Sequence, residues 1–87
     1  MNIIVYDISD PKRLRLVAAI CEKYLIRVQK SVFEGELTKS QLYSIQKELK
    51  KVIEKEEDSV IIYFVRKSAM KWKIILGKKP EDDYIII

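Results

Sequence analysis

The sequence predicts an α+β domain with the order strand–helix–strand–strand–helix–strand. Two segments carry apolar residues at i, i+3, i+4 and i+7, which is typical of amphipathic helices, and short β-branched runs flank them. The chain has 87 residues, of which 48% are hydrophobic, so it is long enough for one core. This order favours a ferredoxin-like sandwich (βαββαβ), in which two helices cover one face of an antiparallel sheet.

The first half of the chain supplies one strand, one helix and a strand-like region. Residues 2–8 form an apolar, β-branched run, which predicts a strand buried on both faces. Asp10 and Pro11 suit the N-cap and the first turn of the helix that follows. Residues 26–37 are strand-like and break at Gly35, either as a hairpin that turns near residues 29–31 or as one bent strand.

The second half begins with a capping-box pattern. Thr38 and Gln41 have the required spacing, and the apolar positions that follow predict a helix that ends in the acidic stretch 56–58. Residues 59–66 predict a buried strand, and residues 72–76 favour a further strand that ends at Gly77. The whole chain, 1–87, is expected to form a single domain.

The C-terminal residues predict a contact between two copies. The expected core covers about 1–77, and residues 80–87 end in three isoleucines, which suit a strand added to another subunit's sheet edge. The uncovered face of the apolar sheet also needs a partner. The sequence therefore predicts a homodimer stacked through its sheet faces, with the C-terminal strand exchanged.

Composition excludes several kinds of chemistry and favours one kind of partner. The chain has no histidine and one cysteine, Cys21, which removes histidine-based catalysis, a cysteine zinc cage and an intrachain disulfide. The formal charge is +4, and the basic and acidic residues are segregated along the chain, which favours a polyanionic partner. The apolar runs are too short for a membrane span and no signal peptide is visible, so we expect a cytoplasmic protein.

Asp7 is the main candidate for chemistry, because it ends an almost wholly apolar strand. A carboxylate there suits a hard cation such as Mg²⁺ or Mn²⁺, and two copies of Asp7 in a dimer would supply two carboxylates to one ion. The alternative is that Asp7 only ends the strand and accepts backbone N–H bonds in the turn that follows.

Further candidates flank Asp7 or lie in the strand-like region. Tyr6 faces the opposite side of the strand and suits either base stacking or core packing. Basic residues at the start of the first helix suit either a phosphate or solvent. An interleaved basic and aromatic set on the strand-like region suits a nucleic acid, although Phe33 alone would suit the core. The nucleic-acid candidates are Arg13, Arg15, Arg27, Lys30 and Phe33.

Two segments together resemble the CRISPR-associated Cas2 family. These are the strand end at 6–10, YDISD, with the basic helix after it, and the segment at 27–37, RVQKSVFEGEL. The resemblance implies a ferredoxin-like homodimer that associates with the larger CRISPR integrase subunit. It also implies that Asp7 is the metal-binding acid of each subunit, and that Tyr6, Arg27 and Phe33 act in activity or substrate contact.

Two functions are compatible with these residues. The first is a metal-dependent endonuclease that cleaves RNA or DNA and takes part in spacer integration, with Asp7 and Tyr6 as catalytic residues. The second is a non-catalytic DNA-binding scaffold that bridges integrase subunits and binds duplex DNA by phosphate neutralisation.

Overall fold

The computed structural model describes residues 1–78 and confirms the predicted order of elements. In chain order the elements are β1 (Asn2–Asp7), α1 (Pro11–Glu22), β2 (Ile26–Gln29), β3 (Val32–Gly35), α2 (Lys39–Val52), β4 (Ser59–Phe64) and a short 3₁₀ helix (Lys67–Trp72). The predicted exchanged strand at 80–87 lies outside the described residues.

One antiparallel sheet contains all four strands, in the order β2-β3-β1-β4. β1 lies between β3 and β4, so that Ile4 faces Phe33 on one side and Ile62 on the other. Asp7, the last residue of β1, pairs with Ser59, the first residue of β4. The loop that follows Asp7 and the loop that precedes Ser59 therefore meet at the same end of the sheet.

Both helices cover the same face of this sheet. Their buried residues pack with alternate residues of β1 and with the fully buried Phe33 of β3. The core consists of Ile4, Tyr6, Ile8, Val17, Ala18, Cys21, Leu25, Phe33, Ile45 and Leu49. Burial raises the pKa of the Cys21 thiol to about 12, so this cysteine is an inert core residue, as its position on the apolar helix face predicts.

The helix starts are set by the predicted side chains. Asp10 accepts hydrogen bonds from the amides of Lys12 and Arg13 at 3.0 and 2.9 Å, which caps α1. At α2, Thr38 and Gln41 form the complete capping box, with reciprocal bonds of 3.1 and 3.0 Å. Local sequence is therefore sufficient to fix where both helices begin.

The structure decides three of the predicted element boundaries. The strand-like region 26–37 is a hairpin, with its turn at residues 30–31. α2 ends at Val52, and not in the acidic stretch 56–58, because Ile53 is extended and the backbone turns at 55–57. The strand expected at 72–76 is wrong for the single chain, because residues 67–72 form a 3₁₀ helix and 73–76 pair with no strand.

The second face of the sheet, which we call the open face, is the one that α1 and α2 do not cover. It carries the alternate residues that point away from the helices: Ile3, Val5, Asp7, Val32, Glu34, Ser59, Ile61 and Tyr63. β1 is therefore buried on one face and only partly covered on the other, where the sequence predicts burial on both. Tyr63 is 50% exposed, so a sizeable apolar surface remains uncovered within the described residues.

Candidate functional site

The carboxylate of Asp7 lies exposed on the open face, at the end of β1. Within residues 1–78 it accepts no hydrogen bond and forms no salt bridge; Asp10, and not Asp7, accepts the amides at the start of α1. The alternative of Asp7 as a turn-stabilising acceptor therefore has no support in the geometry. What remains is a carboxylate available to a ligand, on a surface otherwise rich in apolar side chains.

Residues 1–78 of a single chain do not assemble a complete metal site around Asp7. In the part of the chain that the structure describes, no three acidic or cysteine side chains converge to hold an ion. One exposed carboxylate per chain fits Mg²⁺ or Mn²⁺ only in an arrangement completed by water, a phosphate or a second copy, because these ions prefer oxygen ligands and Mg²⁺ retains water. The donor set is therefore compatible with the ion but incomplete in one chain.

Tyr6 lies on the opposite face from Asp7, as strand alternation predicts, and is almost fully buried. Its ring stacks near Phe33, with 6.1 Å between the ring centroids, and its hydroxyl donates a hydrogen bond of 3.2 Å to the carbonyl of Lys30. Burial raises the pKa of Tyr6, an effect that a hydrogen bond with Arg27 opposes. This placement favours anchoring of the β2–β3 turn to β1 over direct participation in a reaction on the open face.

Arg27 and Phe33 join Tyr6 in one cluster. They are paired across β2 and β3, and the guanidinium carbon of Arg27 lies 5.2 Å from the centroid of the Phe33 ring. Phe33 has no exposed surface, so its position favours the core role over the predicted contact with nucleic acid. The structure thus brings Tyr6, Arg27 and Phe33 together, but on the side of the sheet away from Asp7.

The remaining basic candidates differ in what they contact. Arg13 donates to Asp58 at 2.8 Å and to Glu57 at 2.9 Å, so its guanidinium is held within the protein. Arg15 lies exposed on α1, and Lys30 lies exposed in the β2–β3 turn. Of the two arginines at the start of α1, Arg15 and not Arg13 therefore has a side chain available to a phosphate.

Asp58 organises the loop next to Asp7, a role that the sequence interpretation missed. Its side chain is fully buried and accepts hydrogen bonds from Arg13, from the amide of Ser9 at 3.1 Å and from the amide of Glu54 at 2.8 Å. The bonds with Arg13 hold the pKa of Asp58 well below its usual range, despite its burial. The one indication in the sequence is an acid directly before a buried strand, which by itself does not reveal these partners.

The fold and this strand end define a class of small ferredoxin-like proteins with one exposed carboxylate at the end of the first strand. A family model described as CRISPR associated protein Cas2 matches residues 1–73. The chain belongs to this family.

Similar proteins extend over most of the chain. A protein of Thermodesulfovibrio yellowstonii, named CRISPR-associated endoribonuclease Cas2 3, is 43% identical over 79 residues, which are 91% of this chain and 89% of that protein. The CRISPR-associated endoribonuclease Cas2 of Nanoarchaeum equitans is 46% identical over 80 residues, covering 91% and 86% of the two chains. The crystal structure of Streptococcus pyogenes Cas2 at pH 6.5 superposes with a TM-score of 0.81, at 34% identity, covering 87% of this chain and 98% of that one.

These findings confirm the resemblance and the ferredoxin-like α+β fold. The individual site residues, the metal ion and the domain bounds stay predictions. Neither helix within residues 1–78 has the length and hydrophobicity needed to cross a membrane.

Proposed function

We propose that this chain is a metal-dependent endonuclease of a CRISPR system, which cleaves phosphodiester bonds of RNA or DNA and takes part in spacer integration. Relatives named endoribonuclease align over nine-tenths of the chain, which supports the nuclease activity. The observation that carries the proposal is the exposed, unpaired Asp7 carboxylate on an uncovered sheet face. In a protein without histidine, this is the described group best placed to bind a cation beside a substrate.

The active form in this proposal is a homodimer that stacks through the open face. The apolar residues there, such as Ile61 and Tyr63, are left uncovered in one chain, and covering them would remove apolar surface from water. Asp7 lies on the same face, so stacking two copies around a twofold axis places both carboxylates at the interface. A dimer would thus complete the donor set that one chain lacks.

Asp7 of each subunit would hold Mg²⁺ or Mn²⁺. When bound, such an ion lowers the pKa of water and stabilises negative charge on a phosphodiester in its transition state. The Asp7 carboxylate of each subunit would orient the site, and the exposed Arg15 and Lys30 would bind the backbone of the substrate strand. The CRISPR integrase subunit is the partner we propose for the dimer during spacer integration.

A second candidate function is a non-catalytic scaffold that bridges integrase subunits and binds DNA. One observation favours it: within residues 1–78, no group of three acidic or cysteine side chains forms around Asp7, and the chain has no histidine to act as a general base. In that case the basic residues would bind duplex DNA, and Asp7 would have no chemical role.

The test compares Asp7→Asn with Glu56→Gln, a matched loss of one exposed negative charge outside the sheet. Labelled single-stranded RNA, single-stranded DNA and duplex DNA are incubated with each purified protein in Mg²⁺, in Mn²⁺ and in EDTA. We expect the wild type and Glu56→Gln to cleave at least one substrate in a metal-dependent manner, and Asp7→Asn to lose about 100-fold in rate.

The same variants are then tested for spacer integration with the integrase subunit. Loss of cleavage by Asp7→Asn with integration retained would assign the two roles to separable parts of the molecule. Absence of metal-dependent cleavage by the folded wild-type dimer on every substrate, with integration intact, would overturn the nuclease and leave the scaffold.

A further inference from the structure

The outer surface of α2 combines an exposed aromatic ring with several cations. Tyr43, Lys47 and Lys50 follow one another at i, i+4 and i+7, so they share one helix face, directly opposite the buried Ile45 and Leu49. Together with Gln46 and Lys51 they line a shallow depression of about 340 Å³. Tyr43 is 68% exposed, so its ring is accessible to a ligand.

Packing and helix electrostatics do not account for this surface. Lys50 and Lys51 lie in the last turn, where cations stabilise the helix dipole, but Lys47 lies further back and Tyr43 contributes nothing to the dipole. Among residues 1–78, no salt bridge involves Lys47, Lys50 or Lys51. The surface is therefore positively charged, and no salt bridge within residues 1–78 neutralises it.

Glu48, the one acid within α2, contacts the end of α1 and not the lysines of the outer surface. Glu48 accepts hydrogen bonds from Lys23 and from the hydroxyl of Tyr24, at 2.5 Å for the tyrosine, which connects α2 to the end of α1. These two donors hold the pKa of Glu48 below its usual range, so it is ionised and occupied by them. The lysines on the outer surface are thus left for a ligand from outside.

We propose that this surface of α2 binds single-stranded nucleic acid. Lys47 and Lys50 bind phosphates, and Tyr43 provides a ring on which one unpaired base stacks. A duplex would offer phosphates to the lysines but no free base face to Tyr43. An acidic peptide would likewise satisfy the lysines but leave the tyrosine without a partner, so the observed combination favours an unpaired strand.

This binding surface goes beyond the proposed function. It lies on the helix side of the sheet, whereas Asp7 lies on the open face, so the two surfaces point in opposite directions. The protein would then hold a strand on its outer surface independently of any cleavage at the dimer interface.

The first experiment tests the two lysines by the salt dependence of binding. A fluorescein-labelled thymidine 20-mer is titrated with dimeric full-length protein over a series of salt concentrations, and gels confirm that the oligonucleotide stays intact. K47A/K50A is compared with K67A/K71A, which removes the same charge from exposed lysines outside α2. We expect K47A/K50A to lower the slope of log K against log salt by about 1.4, which corresponds to two lost phosphate contacts, and K67A/K71A to change it much less.

The second experiment tests the ring. Tyr43→Ala is expected to weaken binding of the 20-mer about tenfold, while Tyr43→Phe, which retains the ring, stays near the wild type. Circular dichroism controls for helix content, and Tyr43 is exposed enough for both variants to fold.

Three results would overturn the proposal. One is an equal effect of the two lysine pairs, which would indicate non-specific attraction. Another is an equal effect of Tyr43→Ala on single-stranded and duplex DNA. The third is that Tyr43→Ala weakens binding of an acidic peptide and leaves binding of the oligonucleotide unchanged. This result would assign the surface to a protein partner. These experiments measure binding to an intact strand. A failure of Asp7-dependent cleavage would therefore overturn the nuclease proposal without affecting the proposed binding surface on α2.

Discussion

Asp7 and Asp58 lie at the same end of the sheet but in opposite environments. Asp7 ends β1 and pairs with Ser59, and Asp58 directly precedes Ser59, so the two acids are close in the fold. The carboxylate of Asp7 is exposed on the open face and, within the described residues, has no hydrogen-bond partner. Asp58 is fully buried and accepts bonds from a guanidinium and two backbone amides.

This difference separates a carboxylate available for function from one used for structure. The partners of Asp58 already satisfy its oxygens, and removing any of them would leave a buried charge with less compensation. Asp7 carries no such contacts, so its loss leaves the fold without an unsatisfied group. The geometry therefore leaves the exposed acid accessible to a ligand and uses the buried one to position the loop.

Substituting asparagine at each position is the strongest way to break this comparison. We expect Asp7→Asn to lose about 100-fold in metal-dependent cleavage with an unchanged Tm, since no internal contact is removed. We expect Asp58→Asn to lower Tm by roughly 5–10 °C, because an amide nitrogen then faces donors that need an acceptor. Thermal denaturation and cleavage assays, run at a temperature where both variants are folded, measure the two effects.

The pattern would be contradicted by crossed results. A lower Tm for Asp7→Asn would mean that the exposed carboxylate has a structural role that its surroundings do not indicate. Equal loss of cleavage in both variants, with Asp58→Asn fully folded, would extend the active site to the buried network.

Most of the fold was predictable because its determinants are local. The caps Asp10 and Thr38 act within three residues, and the face of β1 that carries Asp7 follows from simple alternation. The sequence predicted too long a helix α2, because Ile53 continues the apolar pattern and no glycine or proline marks the stop. In the structure, α2 ends at Val52. The turn after it depends on Asp58, whose partner Arg13 is 45 residues away in the sequence.

The site was only partly predictable for the same reason. A basic residue at a helix start resembles a phosphate contact until its acidic partners are known, and those of Arg13 belong to a distant loop. The same holds for Phe33. Its position among Arg27 and Lys30 predicted a contact with nucleic acid, but tertiary packing buries the ring completely. Long-range contacts, and not residue types, decided which candidates remained accessible.

Acid titration of stability sharpens the comparison with a smaller expected effect. The pKa of Asp58 is lowered in the folded protein, so the unfolded chain binds this proton at higher pH than the folded protein does. Its contribution to the free energy of unfolding is therefore complete above about pH 5, starts to fall near the ordinary Asp pKa of about 3.9 and continues to fall toward the lower folded value.

The measurement is urea denaturation of the wild type, Asp58→Asn and Asp7→Asn between pH 7 and pH 2.5. We expect Asp58→Asn to show a shallower loss of stability below pH 4 than the wild type, because its amide does not titrate. Parallel curves for all three proteins would show that the buried carboxylate does not dominate the acid response.

Arg13 and Arg15 extend the comparison to two cations on one helix, with the smallest expected effects. Arg13 is held by Glu57 and Asp58, whereas Arg15 is exposed. We expect Arg13→Ala to lower Tm by roughly 5 °C, because Asp58 loses its main partner. We expect Arg15→Ala to leave Tm unchanged and to lower the salt slope of oligonucleotide binding by about 0.7, the value for one phosphate contact on a single strand. If Arg13→Ala instead changed only the salt slope, the guanidinium would leave its acidic partners for a phosphate, and the loop around Asp58 would be part of the nucleic-acid surface.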